Sequence, residues 1–357
     1  MKEENESFSD TNYGKNILDW KQKNIHSSST YTKNPKVVVI GGSLGGLFTA
    51  IALYHTNCDV EVFEKSSVNM KDRGAGIVLQ METANFLKVH NIISNGAVIS
   101  IPSYKKQYLK KDDSIASEEP ILQLMTSWEL LYRILRNVFP NNHYHNDKRM
   151  TSFEQKKDDN IVVNFIGDSK EKECDLLVGA DGAGSTVRHQ LLPQVLPHYA
   201  GYVAWRGLVS EDTVSPKVLD IFLNKFTFFI GQKTHILCYL VPGPNGELSR
   251  GRRRLNWVWY VNAPVQNNIL KKMMTDKNGK LQAFSVPSGM VNEDSIKQQK
   301  IAAEDILPDS FQQIVFATKE PFIQPIYDLS VSKMAFDRAC LIGDASFVVR
   351  PHTAAAT

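Results

Sequence analysis

Six consecutive residues, Gly41-Gly42-Ser43-Leu44-Gly45-Gly46, and one acid, Glu64, are spaced for holding a dinucleotide. Glycines let the main chain turn sharply and approach a phosphate, and an acid roughly 20 residues beyond such a turn is placed for a ribose hydroxyl. Three elements must meet for this to work. The apolar run Val37 to Ile40 reads as a parallel strand covered on both faces. Leu47 to Tyr54 continues at helical spacing, and Val60 to Phe63 forms a second strand that delivers Glu64. A helix beginning at the turn aims unpaired N–H groups and its positive dipole end at one point, where a pyrophosphate can sit. The segment is predicted to be an adenine-dinucleotide site, with Gly41, Gly42, Ser43, Leu44, Gly46 and Glu64 facing the cofactor. Against G-x-G-x-x-G, Ser43 replaces the second glycine; serine is the least intrusive substitute and its hydroxyl can donate to a phosphate oxygen. A glycine turn that only packs a helix on a sheet is the competing reading.

Composition sets the class. The chain has 357 residues, 42% hydrophobic and 22% charged, which describes a globular protein with room for a large core or two intimate ones. A net charge of +3 is too small to argue for nucleic acid or an acidic membrane as partner. The basic clusters at Lys105-Lys106, Lys110-Lys111 and Arg252-Arg253-Arg254 read as solvated faces or loops. Cys58, Cys174, Cys238 and Cys340 are scattered without a C-x-x-C pair, each in or beside a predicted strand. That argues for free thiols in a reducing, cytoplasmic setting and against a zinc site. No apolar window is long enough for a membrane span. Residues 1–34, rich in Ser, Asn, Lys and Glu, read as a disordered tail.

The fold class expected is α/β: a Rossmann-type nucleotide domain joined to an antiparallel β-sheet domain. The nucleotide domain is discontinuous, taking residues 35–100, 120–197 and 333–357. Residues 101–119, polar and irregular, leave it together with 198–332. Thr126 to Phe139 is an amphipathic helix capped by Thr126 or Ser127 and followed by Pro140. Ile161 to Phe165 alternates like a hairpin strand. Beyond His198, aromatic-rich strands dominate: Tyr202 to Val209, Phe226 to Ile230, His235 to Val241 and Leu255 to Val261. Two further segments repeat the opening logic of apolar strand, small residues and acid. They are Cys174 to Gly179 running into Ala180-Asp-Gly-Ala-Gly-Ser-Thr-Val-Arg188, and Ala339-Cys-Leu-Ile-Gly-Asp-Ala345.

In order and spacing these three segments resemble the FAD-dependent aromatic hydroxylases, the flavin monooxygenases similar to p-hydroxybenzoate hydroxylase, from about Lys36 to the last residue. Within that family the chain is most similar to the 2,6-dihydroxypyridine 3-hydroxylase-like group. That likeness rests on the Gly-Gly-Ser turn, Tyr199 to Gly207, Arg253 to Tyr260 and Ala345 to His352. The resemblance implies FAD as cofactor and places Asp344 on a ribitol hydroxyl; an acid capping the next helix is the plain alternative. It puts Asp181 and Arg188 near the pyrophosphate and the approach of a nicotinamide, where a surface pair orienting a turn would be the alternative. By the same likeness Arg73 reaches the flavin edge and Pro351 lines the flavin ring. Many relatives carry arginine where Trp128 stands; Arg133, one turn on, matches a second family arginine and is assigned to the cofactor, against a solvent-exposed helix arginine.

The resemblance further implies that NAD(P)H reduces FAD, that O2 is activated at flavin carbon C4a, and that one oxygen passes to a small electron-rich aromatic or heteroaromatic ring. The strands from Tyr199 and His235 would wall the substrate, with Tyr202, Arg206, His235 and Tyr239 as candidate polar contacts. Each could equally be a satisfied strand residue. Arg206 stands out because a guanidinium in so aromatic a strand needs a partner or a ring, Trp205 or Tyr202, to stack on. Two other functions fit the same residues: epoxidation or reduction of an isoprenoid, and a non-catalytic FAD-binding remnant. Nothing in the sequence fixes whether two copies pair as a homodimer. Relatives carry several more helices after the segment matching residues 351–357, and Ala356 stands where the group usually has glycine. A truncated copy with weakened FAD affinity is therefore expected.

Overall fold

The computed structural model describes residues 34–67, 75–94, 96–156 and 160–351. The tail, Arg73, His352 and Ala356 lie outside them. The fold concerns the unit that begins at Lys36.

In chain order the elements are β1 (Lys36–Ile40), α1 (Leu44–Tyr54), β2 (Asp59–Phe63), β3 (Gly76–Val78), α2 (Met81–Val89), β4 (Ile101–Leu109), β5 (Ile115–Ser127), α3 (Trp128–Val138), β6 (Tyr144–His145), β7 (Met150–Gln155), β8 (Ile161–Phe165), β9 (Lys172–Cys174), β10 (Leu176–Gly179) and α4 (Thr186–Leu191). The second half adds β11 (His198–Ser210), α5 (Pro216–Phe222), β12 (Lys225–Gly231), β13 (Thr234–Val241), β14 (Arg254–Asn262), α6 (Ile269–Met274), α7 (Glu293–Ile306), α8 (Asp309–Ala317), β15 (Phe322–Ser330), β16 (Ala335–Phe336), β17 (Ala339–Leu341) and β18 (Phe347–Val348).

Among the described residues a six-stranded sheet runs β16-β17-β10-β1-β2-β6, parallel except at β16. Its central strands β1 and β10 are almost wholly apolar because both faces are covered, Val38 and Val39 lying on opposite sides and both fully buried. The order places β1 between β2 and β10, so the turns after β1 and β10 and the acid after β2 open on one edge. A second sheet runs β18-β15-β11-β14-β13-β12-β4-β5-β3. Along β14 the side chains alternate cleanly: Trp257 and Trp259 point into a core with Phe222 and Phe311, under α5 and α8. Val258 and Tyr260 point the other way, with Ala204, Leu237 and Tyr239. The buried indoles find partners in Thr318 (2.8 Å) and Thr234 (2.6 Å).

Three expectations are corrected. Residues 101–119 are not irregular: they form β4 and the opening of β5, which continues to Ser127. Their polar composition belongs to an exposed stretch of the ladder carrying the cross-strand pairs Lys105–Glu118 (2.6 Å) and Lys106–Glu119 (3.1 Å). The second sheet is also not wholly antiparallel, since β4 and β12 pair in parallel. Finally, Arg253 and Arg254 do not face solvent. Arg253 grips the buried Glu211 with Nε donating to Oε2 at 2.8 Å, and Arg254 reaches Glu129 of α3 at 3.2 Å, tying the two sheets' layers together. The helices from Pro216 to Ala317 escaped the sequence reading although signals were present. Ser215 caps α5 ahead of a proline, and Asn292 caps α7 by accepting from Ser295 N–H. Ser127 caps α3 as expected, accepting from Leu130 N–H at 3.2 Å. Among the described residues no helix is long and apolar enough to cross a membrane.

Candidate active site

The glycine turn is built by exclusion of side chains. Gly41 has φ +103°, and a Cβ there would lie 2.2 Å from the Ala180 carbonyl oxygen. One on Gly46 would lie 1.9 Å from Gly41 O, so α1 seats directly on the turn. Gly42 meets Tyr144, whose hydroxyl donates to Gly42 O at 3.0 Å; a Cβ would fall 2.2 Å from that hydroxyl. Tyr144 went unnoticed in the sequence because nothing local marks a tyrosine on a two-residue strand as the floor of a distant turn. Ser43 is the N-cap of α1, yet its side chain makes no cap bond and the first turn holds no acid. The opening N–H groups, which have no partner within a helix, are left for an anion.

Glu64 is buried, accepting from Gly42 N–H at 2.8 Å and from Ser66 N–H at 2.9 Å. Its carboxylate is thereby fixed beside the turn. Asp181 accepts from Ser185 Oγ, from Thr186 N–H (2.6 Å) and from Val187 N–H (3.3 Å), which caps α4. Burial pushes its carboxyl up, against the three bonds that favour the charge. Arg188 does not pair with it. The guanidinium is buried and donates to the carbonyls of Ala183 and Ala345, the latter at 3.1 Å, stitching the Ala180–Ser185 loop to the turn that carries Asp344.

These pieces border one cleft of about 580 Å³. At one end it is lined by Gly41, Ser43, Glu64, Asp181, Asp344 and Pro351, and at the other by Arg206, Phe226, Leu237, Tyr239, Val258 and Tyr260. Gly182, at φ +80°, leaves open space on the cleft side with no atom within 4 Å of a Cβ position. Besides Arg188, six sequence candidates fall outside this lining. Arg133 turns outward and donates to Pro244 O at 3.0 Å, while Trp128, at the departing position, lines the cleft. Gly42, Leu44 and Gly46 support the turn from behind its lining. His235 shares a sheet face with Tyr239 but stacks between Phe228 (5.6 Å) and Tyr260 (5.5 Å), and Tyr202 meets Tyr260 edge-on at 6.0 Å. Both sit one row beyond the lining. Arg206 cannot stack on Trp205, because neighbours on a strand point to opposite faces; Trp205 is in the helix-covered core.

A glycine cradle, an open helix start, a fixed acid and an aromatic chamber fit a flavin nucleotide together with an aryl group. Comparison with known proteins agrees. An FAD binding domain model matches residues 34–261, and an FAD binding domain-like model matches 199–328. The 2,6-dihydroxypyridine 3-monooxygenase of Paenarthrobacter nicotinovorans is 32% identical over 324 residues, covering 90% of this chain and 78% of that protein. The chain belongs to the FAD-dependent monooxygenases. The solved 2,6-dihydroxypyridine-3-hydroxylase from Arthrobacter nicotinovorans superposes with TM-score 0.83 at 31% identity, covering 91% of this chain and 80% of that one. HpxO of Klebsiella pneumoniae, solved with FAD and uric acid, shares the fold at TM-score 0.69 and 20% identity over 90% of this chain and 76% of that one. This monooxygenase uses FAD, with NAD(P)H as co-substrate, and the aromatic-ring reading stands over the isoprenoid one.

For this flavoprotein, replacing Glu64 by alanine is expected to weaken FAD binding by about 1.5–3 kcal/mol, the value of a hydrogen bond to a charged group. Fluorescence quenching on titration of apoprotein with FAD measures it. An unchanged dissociation constant would remove Glu64 from the site.

Proposed function

We propose that the protein hydroxylates a small electron-rich heteroaromatic or phenolic ring bearing an ionisable hydroxyl. One observation carries this: three segments far apart in sequence border a single cleft whose other end is an aromatic sheet face bearing one arginine. The N–H groups after Ser43 would hold the pyrophosphate of FAD, Glu64 a ribose hydroxyl and Asp344 the ribitol; Asp181 and Pro351 would border it, with Arg188 bracing the segments that carry Asp181 and Asp344. Bound FAD, reduced by NAD(P)H, supplies the electrons and activates O2. The chain's own residues do the rest. Phe226, Leu237, Val258 and Phe322 line the chamber with apolar surface and exclude water. Burial pushes the Tyr239 phenol up and that of Tyr260 to about 12, only partly offset by Arg206, so both remain proton donors at neutral pH. Arg206 supplies the fixed positive charge, and its Nε is buried with no partner among the described residues. A ring hydroxyl that loses its proton would complete that arginine's hydrogen bonds, and the resulting anion is the more electron-rich ring that oxygen transfer requires. The free thiols support a reducing, cytoplasmic setting.

Purified protein carrying flavin, tested with NAD(P)H against hydroxypyridines and phenols, decides this reading. Substrate-stimulated NAD(P)H consumption with a hydroxylated product is the expected result; flavin retention with no stimulation by any ring would overturn it. Arg206→Leu is expected to lower kcat/KM by roughly 30–100-fold, the scale of one lost charge-assisted bond, with flavin content unchanged.

A further inference from the structure

Four polar residues on strands of the second sheet line the cleft: Arg206 of β11, Tyr239 of β13, Tyr260 of β14 and Gln324 of β15. Alternation puts Gln324 on this face. Ile323 beside it is fully buried in the helix-covered core, while Ile326, two residues on, joins the cluster of Ala204, Tyr239 and Tyr260. The register sets Gln324 opposite Ala204 of β11, Phe322 opposite Arg206, and Ala204 in turn opposite Tyr260 of β14. Gln324 is therefore the diagonal neighbour of Arg206, roughly 7–8 Å away, a span across which two long side chains can meet one six-membered ring. Gln324 is exposed, and its amide makes no hydrogen bond among the described residues. The four groups differ in chemistry. Arg206 only donates, and the phenols of Tyr239 and Tyr260 keep their protons at neutral pH. Of the four, only Gln324 brings a carbonyl acceptor, and its N–H donor stands beside it, so it can meet a ligand edge with the same pair reversed.

We propose that Gln324 determines specificity for a ring in its lactam form: Oε1 accepts from the ring N–H and Nε2 donates to the adjoining carbonyl oxygen, while Arg206 takes the ionised hydroxyl. The proposal rests on the cleft being a ring-hydroxylation site and narrows the substrate to hydroxypyridines in the pyridone form, over phenols. A phenol ring has no N–H to offer, so the amide carbonyl faces its edge without a partner, the kind of mismatch a polar site rejects. Two parallel bonds also fix the ring's rotation in its own plane, which sets the carbon that faces the flavin side of the cleft.

Gln324→Leu nearly keeps the side chain's size and removes both bonds. The flavin-loaded parent and variant are titrated with 6-hydroxy-2-pyridone, with its N-methyl derivative, and with resorcinol, which has both oxygens but no ring nitrogen. Perturbation of the flavin absorbance reports binding. Q324L should bind the pyridone about 10-fold more weakly than the parent does, and the other two ligands within about 3-fold. A loss shared equally by all three ligands, or pyridone binding unchanged in Q324L, would overturn the proposal. A crystal structure of the flavin-loaded parent with the pyridone decides independently, should Q324L lose flavin: the amide paired with the ring's N–H and carbonyl supports it, and an amide turned to solvent ends it. A parent that holds flavin but binds none of the three ligands ends the ring-hydroxylase reading and this proposal with it. A parent that binds resorcinol and the pyridone, with Q324L no different for either, ends the proposal alone.

Discussion

Gly41→Ala should lower the stability of the protein by about 3–5 kcal/mol and abolish flavin retention, the sum of positive-φ strain and overpacking against an atom that cannot move. The obstacle is the Ala180 carbonyl at 2.2 Å. That peptide is clamped, because Ala180 N–H donates to Ile40 O at 2.7 Å and Gly41 N–H donates to Phe63 O at 2.9 Å across the neighbouring strand. Relief would require opening the sheet between β1 and β10. Gly45 is the control four residues on. It has φ in the helical range and no atom within 4 Å of a Cβ position, so Gly45→Ala should hold or raise stability by about 0.5–1 kcal/mol with flavin retained. Urea titrations followed by fluorescence separate the two. A Gly41→Ala protein unfolding at the parental midpoint would mean that the turn is far softer than this packing allows.

The second large effect concerns Glu211 and Arg253. Both are buried, the guanidinium donating through Nε and Nη2, and Gly251 N–H adds a third bond to the carboxylate at 2.9 Å. Glu211→Ala should cost about 3–5 kcal/mol, most of it from the guanidinium left buried and unpaired. Replacing both partners, Glu211→Ala with Arg253→Leu, should recover much of the loss, because a buried pair can be exchanged for apolar contact at little net cost. Equal instability of the double and single variants would show that the pair holds the Glu211–Thr213 turn in a way apolar packing cannot. The pH dependence has a definite sign. Burial alone would raise the Glu211 carboxyl, but Arg253 and the Gly251 N–H reverse this and hold it below 4.5. A carboxyl depressed in the folded state stabilises above its unfolded value, and that share is lost as pH falls through the folded value. Thermal melts of the parent and the double variant should therefore lie close near neutrality and separate in acid, where only the parent loses this share.

The nucleotide half was legible because its physics is local in sequence. An apolar strand, a glycine turn, a helix and an acid at fixed spacing lie within about 30 residues, and each states its own conformation. The same holds for the aromatic strands, whose β-branched and aromatic residues need a pleated surface to pack on. The polar strands β4 and β5 were not legible, since their charges are satisfied across the ladder by Glu118 and Glu119, a pairing invisible until the strands meet. Nor was the solvation of Arg253 and Arg254, because a guanidinium's burial depends on a carboxylate 42 residues away in one case and 125 in the other.

For the cleft, the sequence by itself determined which residue types were available: the glycines, Glu64, Asp181, Asp344 and an arginine among aromatics. Tertiary structure decided their company. Strand alternation sent Arg206, Tyr239 and Tyr260 to the cleft face and Trp205 and Trp257 to the helix-covered face, and the sheet register set Asn256 against Tyr239. It also turned Arg133 outward to Pro244 and spent Arg188 on two carbonyls. Spacing along a chain fixes local conformation, but which long side chain fills a cleft and which braces its wall depends on partners contributed by segments that only folding brings within a few ångströms.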